Sequence, residues 1–536
     1  MGSRTVEVDS PARAGLADTL LATAGARARL LSIAATASAA VLLFLLYERL
    51  SLSAPVTSDS ANAVLQGQAM ARGNVLLQGW TLSGASFVAT DLPFYAVIAW
   101  LRGVSLAVAH DAGAAIYTLL VISACFLARG RARGTEAVVR MAIPLVLLIA
   151  PAPGPAAQLL LLGPFHVGTT LLLILALISV ERASERPLGI AIAWVLLTLA
   201  VVSDMLAMYV GVVALAFVCA AGLVGRHPAR LPRLGLLMAA LLVLPAATVL
   251  GWGLHELGGF TTVPVQAAFV RVEDMPRTFA LTVEGTLLVF GADFFGQPVT
   301  AGVLVTLVRL AGLTFVAATW WRAVRSWRRG EQADLVTQAL VVGMVVDVAA
   351  YLFSNQAIDL RTSRYLIPLL AFGAVLAGRC GADWVWPGRL RLEALALALG
   401  YLGVLAVSLE APVAVNPEVA VGEFLERQNL TYGVSGYWEA STVTVATGGR
   451  VRVRAITLSD NTAYAYHWEA VDGWYDPSVA GNDARFVLRD RFGVQPLDRQ
   501  STENTFGPPS REYSVGRYEV LVWDRNLLTG VNMSPA

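Results

Sequence analysis

The sequence contains no lysine, so all 39 of its basic residues are arginine. That absence fits a GC-rich bacterial genome of actinobacterial type and excludes no function. Charge of either sign is scarce, 14% of 536 residues against about 25% in an ordinary soluble domain. The 39 basic and 38 acidic side chains nearly cancel, leaving +1, which argues against a nucleic-acid binder with its basic face or stripe. Cysteine is scarce too. Cys125, Cys219 and Cys380 all fall in or beside apolar segments, and about the last hundred residues, where a secreted disulfide framework would show, have none. They read as small buried hydrophobes. Internal repeats and low-complexity tracts are also missing. What the chain has in quantity is apolar residues, 56%, which excludes a disordered chain and leaves a membrane protein.

A hydrocarbon core of about 30 Å needs about 20 apolar helical residues, or a few less. Runs of that kind cover 30–47, 112–128, 137–150, 164–180, 188–203, 205–224, 234–251, 300–320, 332–353, 365–378 and 392–409, about eleven spans by hydropathy. The head before the first carries Arg4, Arg13, Arg27 and Arg29 and is followed by no small-x-small cleavage site, so 30–47 reads as an uncleaved anchor rather than a signal peptide. Arginine clusters at 129–133, 182–186, 226–233, 322–329 and 379–391 fall in every second loop. By the positive-inside rule those loops are cytoplasmic, the N-terminus is inside and the C-terminus outside. This holds only if the apolar stretch 94–108 lies at the interface or re-enters rather than crossing.

The expected fold is an all-α polytopic membrane protein with a small C-terminal extracytoplasmic α/β domain. Residues 1–29 form a cytoplasmic segment and 30–410 the membrane domain, with two long outer loops at 48–111 and 252–299. Loops of that length in a compact protein are functional or disordered. Residues 411–536 lack a membrane-length run, show helical spacing at 419–427 and alternate at 451–456 and 518–523, the pattern of strands.

An ionisable residue near a membrane helix centre costs about 2.5–3.5 kcal/mol on insertion scales. Under this topology such groups gather on the outer side: Asp59, Asp91 and Asp111 in the first outer loop, His166 and Asp204 at helix ends, His255, Glu256, Glu284 and Asp293 in the second loop, then Asp347, Asp359, Arg361 and Arg364. A transporter is expected to hold its ionisable groups near the midplane, with broken helices and repeated halves. An enzyme with an outward cavity fits this distribution better; a transporter or flippase, or a non-catalytic scaffold, is the alternative.

Thr57-Ser58-Asp59-Ser60-Ala61-Asn62, with Gln66, Gln68 and Gly73 after it, resembles the opening motif of the GT-C superfamily of integral-membrane glycosyltransferases. Asp91-Leu92-Pro93-Phe94-Tyr95 and Arg361-Thr362-Ser363-Arg364-Tyr365-Leu366-Ile367-Pro368 are similar to elements of the protein mannosyltransferase and lipid A aminoarabinose transferase branches. The sequence departs from many relatives at Ser60, where a second acid is common, and at Asp91, where a histidine is common. The resemblance implies an inverting transfer from a polyprenyl-phosphate sugar to a glycan, lipid or protein hydroxyl, among membrane lipids and without nucleic acid. A divalent cation is open under it; the residues themselves require none.

Such a reaction needs a carboxylate to take the acceptor proton and cations to hold the departing phosphate. Asp59 is the candidate base, or else a cap for the helix that follows. Arg361 and Arg364 are the candidate phosphate ligands, because the guanidinium fork suits phosphate; the competing reading is anchoring at the interface. Asp91, His255 and Glu256 are candidates for the acceptor or a second carboxylate, with Asp91 alternatively a cap before Pro93. His166, Asp204 and Asp347 are cavity polar groups or internally satisfied ones. Tyr432, Tyr437, Trp438, Tyr464, Tyr466, Trp468, Trp474 and Tyr475, flanked by Glu439, Glu469, Asp472 and Asp476, stack on sugar or build the core and membrane-facing belt of the small domain.

Overall fold

A computed structural model of the chain describes residues 11–183, 186–224, 230–300, 302–331, 334–494 and 496–533, with backbone alone over 11–29. Arg4, Arg226 and the start of the 332–353 span lie outside the described residues, as do the side chains of Arg13, Arg27 and Arg29.

The chain runs through α1 (Pro11–Ser51), α2 (Ser58–Ala71), β1 (Trp80–Leu82), α3 (Leu92–Arg102), α4 (Leu106–Arg129), α5 (Gly134–Leu148), α6 (Pro155–Leu161), α7 (Val167–Ala183) and α8 (Leu188–Ser203). A π-helical turn, Met208–Val213, leads into α9 (Ala214–Val224), followed by α10 (Arg230–Glu256), β2 (Thr261–Thr262), α11 (Met275–Val289), α12 (Gly302–Arg328) and α13 (Leu335–Phe353). A 3₁₀ segment, Leu360–Leu366, precedes α14 (Ile367–Val385) and α15 (Arg391–Leu409).

Each expected span falls on helix. Among the described residues seven helices, Leu30–Ser51, Leu106–Arg129, Arg230–Glu256, Gly302–Arg328, Leu335–Phe353, Leu360–Val385 and Arg391–Leu409, are long and apolar enough to cross a membrane. Burial sorts them: 89% of the apolar window of Leu360–Val385 and 78% of that of α4 are buried, against 11% for Leu30–Ser51 and 17% for α15. α4 and α14 therefore form the centre of the bundle, and the exposed leucines and valines of α1 and α15 face the lipid. The loop helix α3 has 11 residues, about 16 Å at 1.5 Å per residue, too short to cross. Trp100 and Leu101 on it are 71% and 67% exposed, as an interfacial helix requires. Gly103 at φ 74° ends it, so 106–108 belong to α4 rather than to the loop helix expected over 94–108.

The C-terminal region comprises α16 (Pro417–Arg427), β3 (Tyr432–Ser435), α17 (Tyr437–Ala446), β4 (Arg452–Ser459), β5 (Thr462–Ala465), β6 (Ala470–Val471), β7 (Phe486–Asp490), α18 (Arg499–Phe506), β8 (Arg511–Val515), β9 (Tyr518–Val522) and β10 (Val531–Asn532). Seven strands form one sheet in the order β10-β5-β4-β3-β7-β9-β8. β3 is parallel to both β4 and β7, and the β8 and β9 edge is antiparallel. The two alternating stretches legible in the sequence are β4 and β9, and the helical spacing at 419–427 is α16.

A second, three-stranded sheet joins distant parts of the chain. β1 of the first loop pairs in parallel with β2 of the second loop, Thr81 opposite Thr261, and antiparallel with β6 of the C-terminal domain, Trp80 opposite Val471. Trp80 and Trp474 meet edge to face at 5.1 Å. Both long loops and the C-terminal domain are thereby laced together at one end of the bundle.

Candidate functional site

Asp59 lies in the first turn of α2, but it is not the cap. The N-cap is Thr57, whose side chain makes no capping bond. The Asp59 carboxylate turns instead toward the C-terminal domain. Tyr437 Oη donates to Asp59 Oδ1 at 2.6 Å across 378 residues of sequence, and Arg364 Nη1 approaches Oδ2 at 3.5 Å. Ser58 Oγ donates to the Tyr437 carbonyl at 2.5 Å, Asn62 Nδ2 donates to Tyr437 Oη at 3.3 Å, and Ser441 donates to the Asn62 side-chain oxygen. One face of α2 is thus bound to α17 by polar contacts. Its other face is pressed onto α3, where a Cβ on Gly67 would stand 2.7 Å from the Tyr95 backbone.

Tyr437 opens α17 immediately after β3, at the carboxyl end of a strand with parallel neighbours on both sides. That is where open α/β sheets place their ligand sites. Burial, with the Asp59 charge next, holds the Tyr437 hydroxyl protonated well above its ordinary range.

Arg361 and Arg364 stand on the 3₁₀ segment, whose three-residue turn stacks i and i+3. Arg361 lies over the Trp438 ring at 5.2 Å, and Arg364 over Phe165 at 5.2 Å and Tyr365 at 5.8 Å. Asp359 accepts from the backbone N–H of Arg361 and Thr362 at 2.9 and 3.2 Å and so caps this turn. Arg364 Nε is buried without a partner.

A second buried cluster lies beside the first. His166 Nδ1 and Thr169 Oγ1 both reach Asp204 Oδ2 at 2.6 Å, and the Leu206 N–H donates to Oδ1 at 3.0 Å. Asp91 is 1% exposed, its Oδ2 has no partner, and a Cβ on Gly168 would come within 2.5 Å of it. Burial, reinforced by the Asp204 charge, pushes the Asp91 carboxyl up to about 7. The Tyr365 ring, 4.7 Å from that of His166, joins this cluster to Arg364.

The remaining candidates stand apart. Asp347 Oδ2 accepts the Leu369 N–H at 2.9 Å, satisfying one of the orphan donors at the start of α14. His255 and Glu256 are exposed at the end of α10, and no described hydrogen bond or ion pair joins them to Asp59. Among the described residues no group of three or more His, Cys, Asp or Glu side chains converges as metal ligands. An apolar groove of about 660 Å³, lined by Val213, Phe217, Trp320, Trp327, Val341 and Val345, lies toward the arginine-bearing end of α12, away from both clusters. Cys125 and Cys219 are buried, Cys380 partly so, and all three are free.

Glu469 is the site residue that sequence reasoning passed over, noting it only as a neighbour of aromatics. It is 7% exposed and close enough to Asp59 and Arg364 for their charges to act on it. Its membership follows from the β1–β6 pairing, which joins strands of three and two residues too short to carry a periodic signal.

No family profile and no curated protein matches the sequence. Among solved structures, ArnT from Cupriavidus metallidurans in the apo state is similar with a TM-score of 0.53 and 13% identity, over 95% of this chain and 100% of that one. The Archaeoglobus fulgidus oligosaccharyltransferase tethered to an acceptor peptide aligns with a TM-score of 0.47 and 13% identity, over 85% of this chain and 69% of that one. The likeness to ArnT is one of fold.

Proposed function

We propose that the protein is an inverting glycosyltransferase that moves a sugar from a polyprenyl-phosphate donor to a hydroxyl of an envelope glycan, lipid or protein on the extracytoplasmic face. The observation that carries this reading is the convergence of a carboxylate, Asp59, and two arginines at the one end of the bundle where both long loops and the C-terminal domain meet. The arginine-rich loops at the other end support a cytoplasmic location for that end by the positive-inside rule. The fold shared with ArnT agrees with the reading.

In this mechanism the acceptor hydroxyl loses its proton to Asp59, and its oxygen bonds the anomeric carbon. The bond from that carbon to the donor phosphate breaks, its electron pair leaving with the phosphate. Arg364 has two claimants, Asp59 at rest and the phosphate when donor binds. Because guanidinium pairs strongly with phosphate, donor binding draws Arg364 off Asp59 and frees the carboxylate to act as base. Arg361, resting on Trp438, is the second phosphate ligand. Asp91 and the His166–Asp204 pair lie buried beside this centre, joined to it through Tyr365.

The test is transfer of radiolabelled sugar from polyprenyl-phosphate donors by the purified protein. Asp59→Asn is expected to lower the rate at least about a hundredfold, the usual range for a general base; equal transfer by the variant would remove Asp59 from that role. Substrate counterflow in liposomes without a covalent product would favour a transporter instead.

A further inference from the structure

Glu469 stands where three parts of the chain meet. It directly precedes β6, so the strand pairing that ties the first loop to the C-terminal domain also sets its backbone. Its φ of 53° puts a non-glycine residue in the left-handed region. Such strain is unfavourable and persists where the surroundings over-determine it. The residue is only 7% exposed, yet Oε2 has no hydrogen-bond partner. Leaving a buried acceptor empty is unfavourable too. A carboxyl kept only for packing would have no reason to carry both penalties.

The groups facing it are Asp59 from α2, Arg364 from the 3₁₀ segment, Tyr437 from α17, Tyr466 beyond β5 and Tyr95 from α3, with Ser83 and Asn62 as polar neighbours. Tyr437 is also packed against Trp438 and Tyr466, with ring centres 5.2 and 5.3 Å away, and all three rings are half-buried.

We propose that Glu469 is an acceptor-binding residue, whose free oxygen takes a hydroxyl of a carbohydrate acceptor next to the hydroxyl that gives its proton to Asp59. This rests on the glycosyl-transfer reading and narrows its acceptor to a glycan. Burial, reinforced by the Asp59 charge and opposed by Ser83, Arg364 and Asn62, pushes the Glu469 carboxyl up to about 8, so at neutral pH it is protonated and both donates and accepts a hydrogen bond. A sugar answers that with hydroxyls on neighbouring carbons, and its ring packs on the aromatic faces alongside. A peptide serine or threonine has one hydroxyl, offers the second carboxyl only backbone amides, and has no sugar ring to pack on the aromatic faces. During transfer the acceptor proton goes to Asp59, and Glu469 keeps its own.

The experiment follows transfer by the full-length protein to short soluble oligosaccharides of hexose and pentose units and to a serine-containing peptide, with wild type, Glu469→Gln and Glu469→Ala, across the Glu469 midpoint of about 8. Wild-type activity falls above that pH as Glu469 loses its proton. Glu469→Gln, which hydrogen-bonds but does not titrate, loses that alkaline fall, while Glu469→Ala raises the acceptor KM about tenfold, the loss of about one hydrogen bond, with donor KM unchanged. An unaltered alkaline limb in Glu469→Gln, an unchanged acceptor KM in Glu469→Ala, or preference for the peptide overturns the proposal. If wild type transfers no sugar at all, the glycosyl-transfer reading fails; oligosaccharide binding by ligand-observed NMR then decides separately. Binding weakened in Glu469→Ala supports the site; equal binding, or none by wild type, overturns it.

Discussion

Arg364 stands just before α14 and Arg379 near its far end, and each meets carboxylates from other elements, but the two clusters are built differently. Arg379 is saturated. Its guanidinium reaches Glu181 and Asp334 at 3.0 and 2.9 Å, the Leu127 carbonyl at 2.6 Å and Thr337 Oγ1 at 3.3 Å, while Asp334 also caps α13 through the Thr337 N–H at 3.0 Å. Arg364 is not. It meets Asp59 at 3.5 Å, its Nε is unpartnered, and so is Glu469 Oε2 beside it. A polar network with every member satisfied rigidifies a structure. One that leaves buried atoms empty, under a domain laced over it by three strands, is arranged for something else to fill them.

That contrast predicts opposite responses to substitution. The largest effect on stability belongs to Arg379→Gln, which strands Glu181 and Asp334 without a cation. Removing one partner of a buried pair costs about 3–5 kcal/mol; because Asp334 is 53% exposed, the expected loss lies near the lower figure, about 3 kcal/mol, read by denaturant unfolding in detergent. A loss below about 1 kcal/mol would erase the difference between the clusters.

Tyr437→Phe comes next. It removes the domain's hydroxyl from Asp59, a hydrogen bond to a charged group worth about 1.5–3 kcal/mol, and is expected to lower transfer about tenfold while the domain stays docked through Ser58 and the three-stranded sheet. Unchanged transfer would mean that Tyr437 only fastens the domain.

A third effect concerns pH. Asp91 is raised from 3.8 to about 7 in the folded protein, so the folded state holds a proton that the unfolded chain has released. Stability therefore falls as pH rises from about 4 to about 7, and Asp91→Asn should flatten part of that slope. Identical pH–stability curves for the two proteins would show that Asp91 is not held neutral.

Much of this was legible in the sequence. Long-range periodic or apolar signals survive without context: the eleven helical spans, the short loop helix, strands β4 and β9 and helix α16 all follow from hydropathy or alternation. Asp59, Arg361 and Arg364 could be singled out as candidates because residue type and position in a loop or helix start already restrict their chemistry. What could not be read is what depends on pairing between distant segments. The β1–β2–β6 strip joins strands of two and three residues, below the length at which alternation means anything. Tyr437 and Glu469 inherit their place from that strip, so an aromatic and an acid that looked like features of a small outer domain turn out to stand on a carboxylate of the first loop. Asp59 was open to a capping reading for the same reason: its contact with Tyr437, 378 residues away, is invisible in the local sequence.

The most direct test measures Asp59→Asn and Arg379→Gln side by side for both transfer per folded molecule and unfolding free energy. Asn retains the bond from Tyr437, and the Arg364–Asp59 pair is long, 3.5 Å, and partly exposed, 30% and 22%, so Asp59→Asn is expected to lower transfer at least about a hundredfold while stability stays within about 1 kcal/mol of wild type. Arg379→Gln should do the reverse, losing about 3 kcal/mol and keeping its transfer rate. Loss of stability in Asp59→Asn equal to that in Arg379→Gln, with transfer intact, would contradict the assignment of Asp59 and make both clusters structural.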